Sequence, residues 1–409
     1  MTHIHYRQLE GNGLGFYALL AVLGAIVLVG LGAAYYMEHN GHWVTGMNNQ
    51  VVWGTPHVFA VFLIVAASGA LNVASIASVF GRKLYKPLSR LSGLLAIALL
   101  AGGLMVLVLD LGRPDRLIVA MTYYNFKSIF AWNILLYTGF FAIVAVYLWM
   151  MMERRMNEHS HAVGLFAFVW RLTLTTGTGS IFGFLVARSA YDTAMLAPMF
   201  IVFSFSYGLA IFMLVLMAAM NGSGRELGNA VFGRLRNLLG VFAAGSLYFV
   251  VVYHLTNLYI TERHGIEAFI LLGRENGGVY AATFWLGQIL IGGVIPLAIC
   301  FSKLGRSRSL VAVACVLVVL GGLAQMYVTI IGGQAFPMPL FTDKEVIESS
   351  FFDGKTASYV PSLWEVLLGL GGIGVALIVT VFAAKVLPFV PQSLADADAD
   401  PHYPSQPQT

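Results

Sequence analysis

Three short segments gather residue types able to exchange protons. Trp53 and His57 stand in VVWGTPHVF, Asp110 and Arg113 in LVLDLGRPDR, and Tyr123, Tyr124, Asn125, Lys127 and Ser128 in YYNFKSIFAWN. Each segment adjoins a long apolar run. Polar and ionisable groups at membrane depth are rare and mostly functional. The chemistry they suit is that of a quinol, a flat apolar ring with oxygen atoms about 5–6 Å apart by ordinary bond lengths. Such a ring needs a polar partner at each end, aromatic walls and acceptors for two protons. His57 and Asp110 are the candidate proton acceptors. Trp53, Tyr123 and Tyr124 are candidate walls, and Arg113, Asn125, Lys127 and Ser128 candidate binding groups.

Each residue also has a plainer reading. Asp110 and Arg113 could form an ion pair that only fixes a loop. His57, following Pro56, could be an interfacial residue, Trp and Tyr are common at membrane borders, and Lys127 could snorkel. The grouping argues for chemistry more than any single member does. A second polar group, Tyr253, His254 and Asn257 in VVYHLTNLYITERHG, reads first as interhelical hydrogen bonding. Arg171 lies deep in an apolar run, where an unpaired charge is costly. With Thr175, Thr176 and Ser180 it forms a candidate proton path.

The elements that must position these residues are helices in a membrane. The chain has 409 residues, 58% hydrophobic and 10% charged, with net charge +4. Soluble domains are roughly a quarter charged. Apolar runs long enough to span a hydrocarbon core recur along the chain. Backbone polar groups in lipid must be satisfied within the segment, so these runs are expected to be helices. The fold class expected is an all-α integral membrane protein of about ten transmembrane helices, at 14–37, 56–80, 88–111, 126–151, 163–187, 196–220, 239–260, 281–302, 310–333 and 363–387. The fifth, with TLTTGTGSIFG, could be close-packed or interrupted.

The expected organisation is a segment 1–55 with the first helix, four-helix bundles at 56–187 and 188–333, an outer loop and last helix at 334–387, and a disordered tail at 388–409. PHVFAVF and PMFIVF open the two bundles on the same side. The excess of Lys and Arg, including Arg82, Lys83, Arg154, Arg155, Arg234 and Arg236, marks one side as cytoplasmic. Both termini then face the cytoplasm, and the segments around His57 and Asp110 face outward.

Cofactor signals are sparse. Cys300 and Cys315 lie inside apolar runs, and an iron–sulfur cluster needs about four cysteines. Only His254 lies clearly within a span, so a bis-histidine haem is not expected, nor is a metal site. Nothing suggests nucleic acid. A redox role would need an acceptor on a docked partner.

WGTPHVFAVFLIVAASGA, the DLGRPDR loop and NFKSIFAW together resemble the NrfD/PsrC family, the membrane subunits of polysulfide reductase and related respiratory complexes. The resemblance covers about residues 50–335, and its wording is most similar to the branch found in Dsr sulfur-metabolism complexes. It implies two four-helix bundles in a bacterial inner membrane and a menaquinone or ubiquinone site near the outer surface. It also implies a ferredoxin-like iron–sulfur subunit on the periplasmic face, with cytochrome or other subunits beside it. It assigns the site to Asp110, Arg113, Asn125 and Ser128, and less firmly to His57. The function expected is a quinone-reactive subunit of a multi-subunit oxidoreductase. A secondary transporter and a passive membrane anchor are the alternatives.

Overall fold

The computed structural model describes residues 5–10, 13–338, 354–400 and 403. It is an all-α membrane protein. Among the described residues ten long helices run in sequence: α1 Leu14–Asn40, α2 Thr55–Ser78, α3 Ser89–Leu109, α4 Ile129–Met152, α5 Ser160–Gly183, α6 Leu196–Gly222, α7 Asn229–Tyr259, α8 Gly278–Phe301, α9 Arg308–Ala335 and α10 Leu363–Val386. Among the described residues, all but α5 are both long and apolar enough to cross a membrane. α5 matches α2 in length at 24 residues, about 36 Å at 1.5 Å per residue. Its Gly, Thr and Ser content and Arg171 lower its hydropathy. It is one continuous α-helix rather than an interrupted one.

Burial separates the helices by role. In α2, 83% of the most apolar window is buried, against 11% in α1. α2 is therefore the centre of the molecule and α1 a lipid-facing flank. α2 packs on α3 and α5, α4 packs on α5, and α6, α7, α8 and α9 form the second group. The groups do not part cleanly at the expected boundary, because α2 and α6 make one of the tightest crossings. Gly69 and Gly208 create it. A Cβ on Gly69 would overlap the Ser204 carbonyl oxygen, and one on Gly208 would overlap the backbone of Gly69 and Ala70. Lipid tails are as apolar as the helices they surround, so close backbone approach is how membrane helices gain contact. α10 lies against α1, α2 and α3.

The regular hydrogen-bond ladder widens in the second group. α8 contains a π-helical stretch at Thr283–Val294 and α9 another at Val328–Gly332. Such stretches are frequent at functional positions.

The two termini meet. Strand β1 (Tyr6–Arg7) pairs antiparallel with β2 (Val390–Pro391). Arg225 clamps the pair, its Nη2 donating to the Gln8 carbonyl at 2.5 Å and its Nη1 to the Pro391 carbonyl at 3.2 Å. Val390 and Leu394 are fully buried, and Asp396 Oδ1 accepts from the Ala230 N–H at 2.8 Å at the start of α7. Disorder expected from Pro388 onward therefore does not hold through Asp400. The buried apolar side chains of this segment seat it against the helix ends. Part of the expected outer loop 334–362 lies outside the described residues.

Candidate functional site

α3 stops at Leu109, and Asp110 caps it, with its N–H on the Leu107 carbonyl at 3.4 Å. Gly112 then takes φ +70, and a Cβ there would sit 3.4 Å from the His42 ring. The left-handed turn calls for glycine. This turn leaves the Asp110 side chain with no exposure. On the neighbouring helix, Pro56 occupies the first turn of α2, where its missing N–H costs nothing. His57 follows, 15% exposed in its side chain.

His57 Nδ1 lies 2.8 Å from Asp110 Oδ2. The approach is close but not aligned as a hydrogen bond, and among the described residues neither Asp110 oxygen has an aligned donor. A buried carboxylate without donors is costly.

Trp53 forms the wall. Its ring lies 6.1 Å from His57 at an interplanar angle of 25°, 6.0 Å from Phe130 and 5.8 Å edge-on from Phe182. Gln334, at the end of α9, holds the Trp53 backbone: Oε1 accepts from the Trp53 N–H at 3.1 Å and Nε2 donates to its carbonyl at 3.0 Å. Gln334 Oε1 also accepts from the Val52 N–H at 3.0 Å. Arg188 ties this corner further, donating to the carbonyls of Gln334 at 2.8 Å and Gln50 at 2.9 Å.

The segment before α2 is anchored by Glu365, which is fully buried. Its carboxylate accepts from the Tyr359 hydroxyl at 2.6 Å and from the N–H groups of Gly46 and Ser362 at 2.8 Å each. Tyr359 OH in turn accepts from the Thr55 N–H at 2.7 Å. Burial, then the charge of Glu365, pushes the Tyr359 hydroxyl well above the ordinary tyrosine range, so it remains a donor.

The expected cluster divides in two. Trp53, His57 and Asp110 come together. Arg113 does not join them, because the chain leaves α3 and turns outward. It pairs instead with Asp115 through Nε at 3.1 Å and Nη2 at 3.2 Å. That hydrogen bond holds Asp115 below the usual carboxylate range. Asn125 Oδ1 accepts from the Lys127 N–H at 3.1 Å within its own turn. Tyr123 is 83% exposed, and Tyr124 stacks on Phe126 at 5.7 Å. Ser128 precedes α4 without capping it through its side chain. These residues form an exposed rim whose polar contacts close locally.

Arg171 is fully buried. Its Nη2 donates to Asn72 Oδ1 at 2.7 Å, while Nε and Nη1 have no partner among the described residues. Phe168 and Phe205 place ring faces 4.9 and 5.3 Å from the guanidinium carbon. Thr175 Oγ1 bridges the Arg171 carbonyl at 2.8 Å and Ser68 Oγ at 2.6 Å. Thr178 and Ser180 are also buried, but Thr176 is exposed. At 100° per residue, positions 171, 175 and 178 share a face that 176 does not. Thr176 therefore leaves the expected row, as does Ser180, which is buried on the opposite face, and Thr178 joins it.

The second polar group is an interlocked set. His254 Nδ1 lies 2.7 Å from Glu267 Oε2, and Asn257 Nδ2 donates to Glu267 Oε1 at 2.8 Å. Arg263 donates to Asn257 Oδ1 at 2.8 Å and to the Asp192 carbonyl at 2.6 Å. Tyr253 OH donates to the Ala190 carbonyl at 2.7 Å.

Sequence reasoning missed Gln334, Glu365, Tyr359 and Glu267. Glu365 had a local signal, the S-x-x-E capping box with Ser362 before an apolar run. Gln334 had none, since its partners lie 281 residues away.

Residues 43–338 match the family described as Polysulphide reductase, NrfD. The chain is 29% identical to the Hdr-like menaquinol oxidoreductase integral membrane subunit of Archaeoglobus fulgidus, over 95% of this chain and 97% of that one. It is 22% identical to the selenate reductase C subunit of Mesobacillus selenatarsenatis, over 90% and 93% of the two sequences. With the polysulfide reductase C polypeptide of Wolinella succinogenes it shares 23% identity, over 70% and 96%. All three are named as parts of reductases or oxidoreductases, and one of those names specifies menaquinol. Nearly the whole length of each relative is spanned. The chain is thus a multi-pass membrane subunit that belongs to the NrfD polysulphide reductase family.

Proposed function

We propose that this chain is the quinone-reactive membrane subunit of a multi-subunit oxidoreductase, and that the Trp53–His57–Asp110 corner is where the quinol ring binds. The observation that carries the reading is the Asp110 carboxylate, with no side-chain exposure and, among the described residues, no aligned donor, set 2.8 Å from His57. A quinol hydroxyl is a donor of the kind it lacks. Oxidation of a quinol yields the quinone, two protons and two electrons. Asp110 takes one hydroxyl proton, and His57 passes or takes the second. Trp53 and Phe130 wall the ring, with the exposed 113–128 rim bordering the opening. The electrons leave to iron–sulfur clusters on a ferredoxin-like partner docked at this end of the helices. The same residues serve quinone reduction with the steps reversed.

In this reading the His57 end faces the periplasm of a bacterial inner membrane and the paired termini face the cytoplasm. A sulfur-metabolism complex of the Dsr type is one setting for it. The buried row Arg171, Thr175 and Thr178 offers a polar route along α5 for protons. Its supporting observation is that Nε and Nη1 of Arg171 have no partner among the described residues.

Purification in mild detergent, quinone extraction and identification of co-purifying subunits test the function. Stoichiometric menaquinone or ubiquinone with an iron–sulfur partner is the expected result. An intact assembled complex that neither retains nor turns over quinol would overturn it.

A further inference from the structure

The loop between α5 and α6 is bonded to three places: the segment before α2, the end of α9 and the C-terminal end of α7. Arg188 donates to the carbonyls of Gln50 at 2.9 Å and Gln334 at 2.8 Å. Ala190 and Asp192 accept through their carbonyls, from Tyr253 OH at 2.7 Å and Arg263 Nη2 at 2.6 Å. Tyr191 lies between them and is 1% exposed. Its hydroxyl donates to the Ile330 carbonyl at 2.8 Å. That carbonyl, in the π-helical stretch of α9, also accepts from Gln334 Nε2 at 2.8 Å. The Tyr191 ring presses on Gly333, where a Cβ would stand 2.7 Å from it.

Tyr191 thus reaches Trp53 by two short routes. At the Ile330 carbonyl it shares an acceptor with Gln334, the side chain that holds the Trp53 peptide. Its ring lies 5.4 Å from Phe182, which in turn meets the Trp53 ring at 5.8 Å. The other side of the loop is fixed as firmly. Arg263 joins the Asp192 carbonyl to Asn257, and Asn257 donates to Glu267, buried on the short helix His264–Leu272. Asp192 holds φ +50, a left-handed conformation uncommon outside glycine. Such conformations persist where the surroundings impose them, and the Arg263 bond to the Asp192 carbonyl is one such restraint.

We propose that Tyr191 is a positioning residue for the quinol ring, holding Trp53 through Gln334 and Phe182, and that Tyr253 and Arg263 set its place from the end of α7. The proposal rests on the assignment of the ring to the Trp53–His57–Asp110 corner. The end of α7 then governs how tightly the ring is held without lending it a proton acceptor.

Tyr191→Phe and Tyr253→Phe each remove one hydroxyl and keep the ring, the smallest change that cuts a link. In the assembled complex each should raise KM for quinol about threefold or more and lower kcat by less than about twofold. Added to Gln334→Leu, Tyr191→Phe should raise KM less than it does alone, because both act on the same peptide. An unchanged KM in both single variants, or effects that multiply in full, overturns the proposal. Amide hydrogen exchange in the complex gives a readout that needs no quinol. Either variant should quicken exchange at Val52 and Trp53 about threefold or more, with α2 and α3 unchanged. Unaltered exchange overturns the proposal, and so does faster exchange throughout α2 and α3, which marks general loosening. If the parent complex turns over no quinol, the corner loses its assignment, and exchange alone decides whether Tyr191 positions Trp53.

Discussion

The side chain of Gln334 holds the peptide of Trp53 from both sides, accepting from its N–H at 3.1 Å and donating to its carbonyl at 3.0 Å. The last turn of α9 thereby sets the wall of a site built on α2 and α3. Gln334→Leu leaves the Val52 and Trp53 N–H groups without their acceptor, a loss of about 1–3 kcal/mol for a buried group. The expected kinetic result is a several-fold rise in KM for quinol with a smaller fall in kcat. A quinol titration of the assembled complex checks it, and an unchanged KM would show that Trp53 does not touch the ring.

Asp110→Asn keeps the shape of the side chain and removes its capacity to accept a proton. Positioned acid–base groups contribute about 10²–10⁴-fold to rate. The quinol rate should fall within that range while the helices and partner subunits still assemble. Rate measurement beside size-exclusion of the complex separates the two. A normal rate would remove Asp110 from the chemistry.

Arg113 gives the contrasting case. It pairs with Asp115 on the exposed rim rather than with Asp110. Arg113→Ala should change quinol turnover with a small soluble acceptor by no more than about twofold, since exposed pairs contribute little. A loss approaching that of Asp110→Asn would mean that Arg113 reaches the ring.

Glu365 satisfies three donors from two parts of the chain. Glu365→Ala strands the Gly46 and Ser362 N–H groups, at about 1–3 kcal/mol for each group left buried and unpaired, and leaves the Tyr359 hydroxyl only the Thr55 hydroxyl at 2.9 Å. Thermal unfolding in detergent should show a lowered midpoint, and Glu365→Gln a smaller drop because one acceptor remains. Equal midpoints for parent and Glu365→Ala would mean that water replaces the carboxylate.

Gly69→Val tests the α2–α6 crossing. Its side chain would have to occupy the position of the Ser204 backbone. The cost should exceed the about 1–3 kcal/mol of ordinary overpacking, because a backbone cannot step aside as a rotamer does. The expected outcome is loss of folded protein in detergent, read by size-exclusion of the tagged protein.

Much of the architecture was legible one segment at a time. A run of apolar residues long enough to cross a bilayer has to be a helix, whatever surrounds it, because its backbone has no other partner in lipid. That reasoning placed all ten helices, including α5 despite its glycines and Arg171. The DLGRPDR and WGTPH segments adjoin long apolar runs, which placed them at helix ends, and Pro56 fits the start of one.

Partners across the fold were not legible, because they depend on which helix faces meet. A sequence states that Asp110 and Arg113 are three apart; only the packed chain turns one inward to His57 and the other outward to Asp115. Thr176 and Thr178 look alike in TLTTGTGS, and helix rotation alone makes one exposed and the other buried. The tail after Pro388 has the composition of disorder, yet Val390 and Leu394 find apolar seats that the folded helix ends create. The sequence by itself determined the class, the spans and the residue types at the helix ends, since each follows from local chemistry against lipid. The tertiary structure alone decided the pairs His57–Asp110, Trp53–Gln334 and His254–Glu267, because each depends on side chains brought together by helix packing.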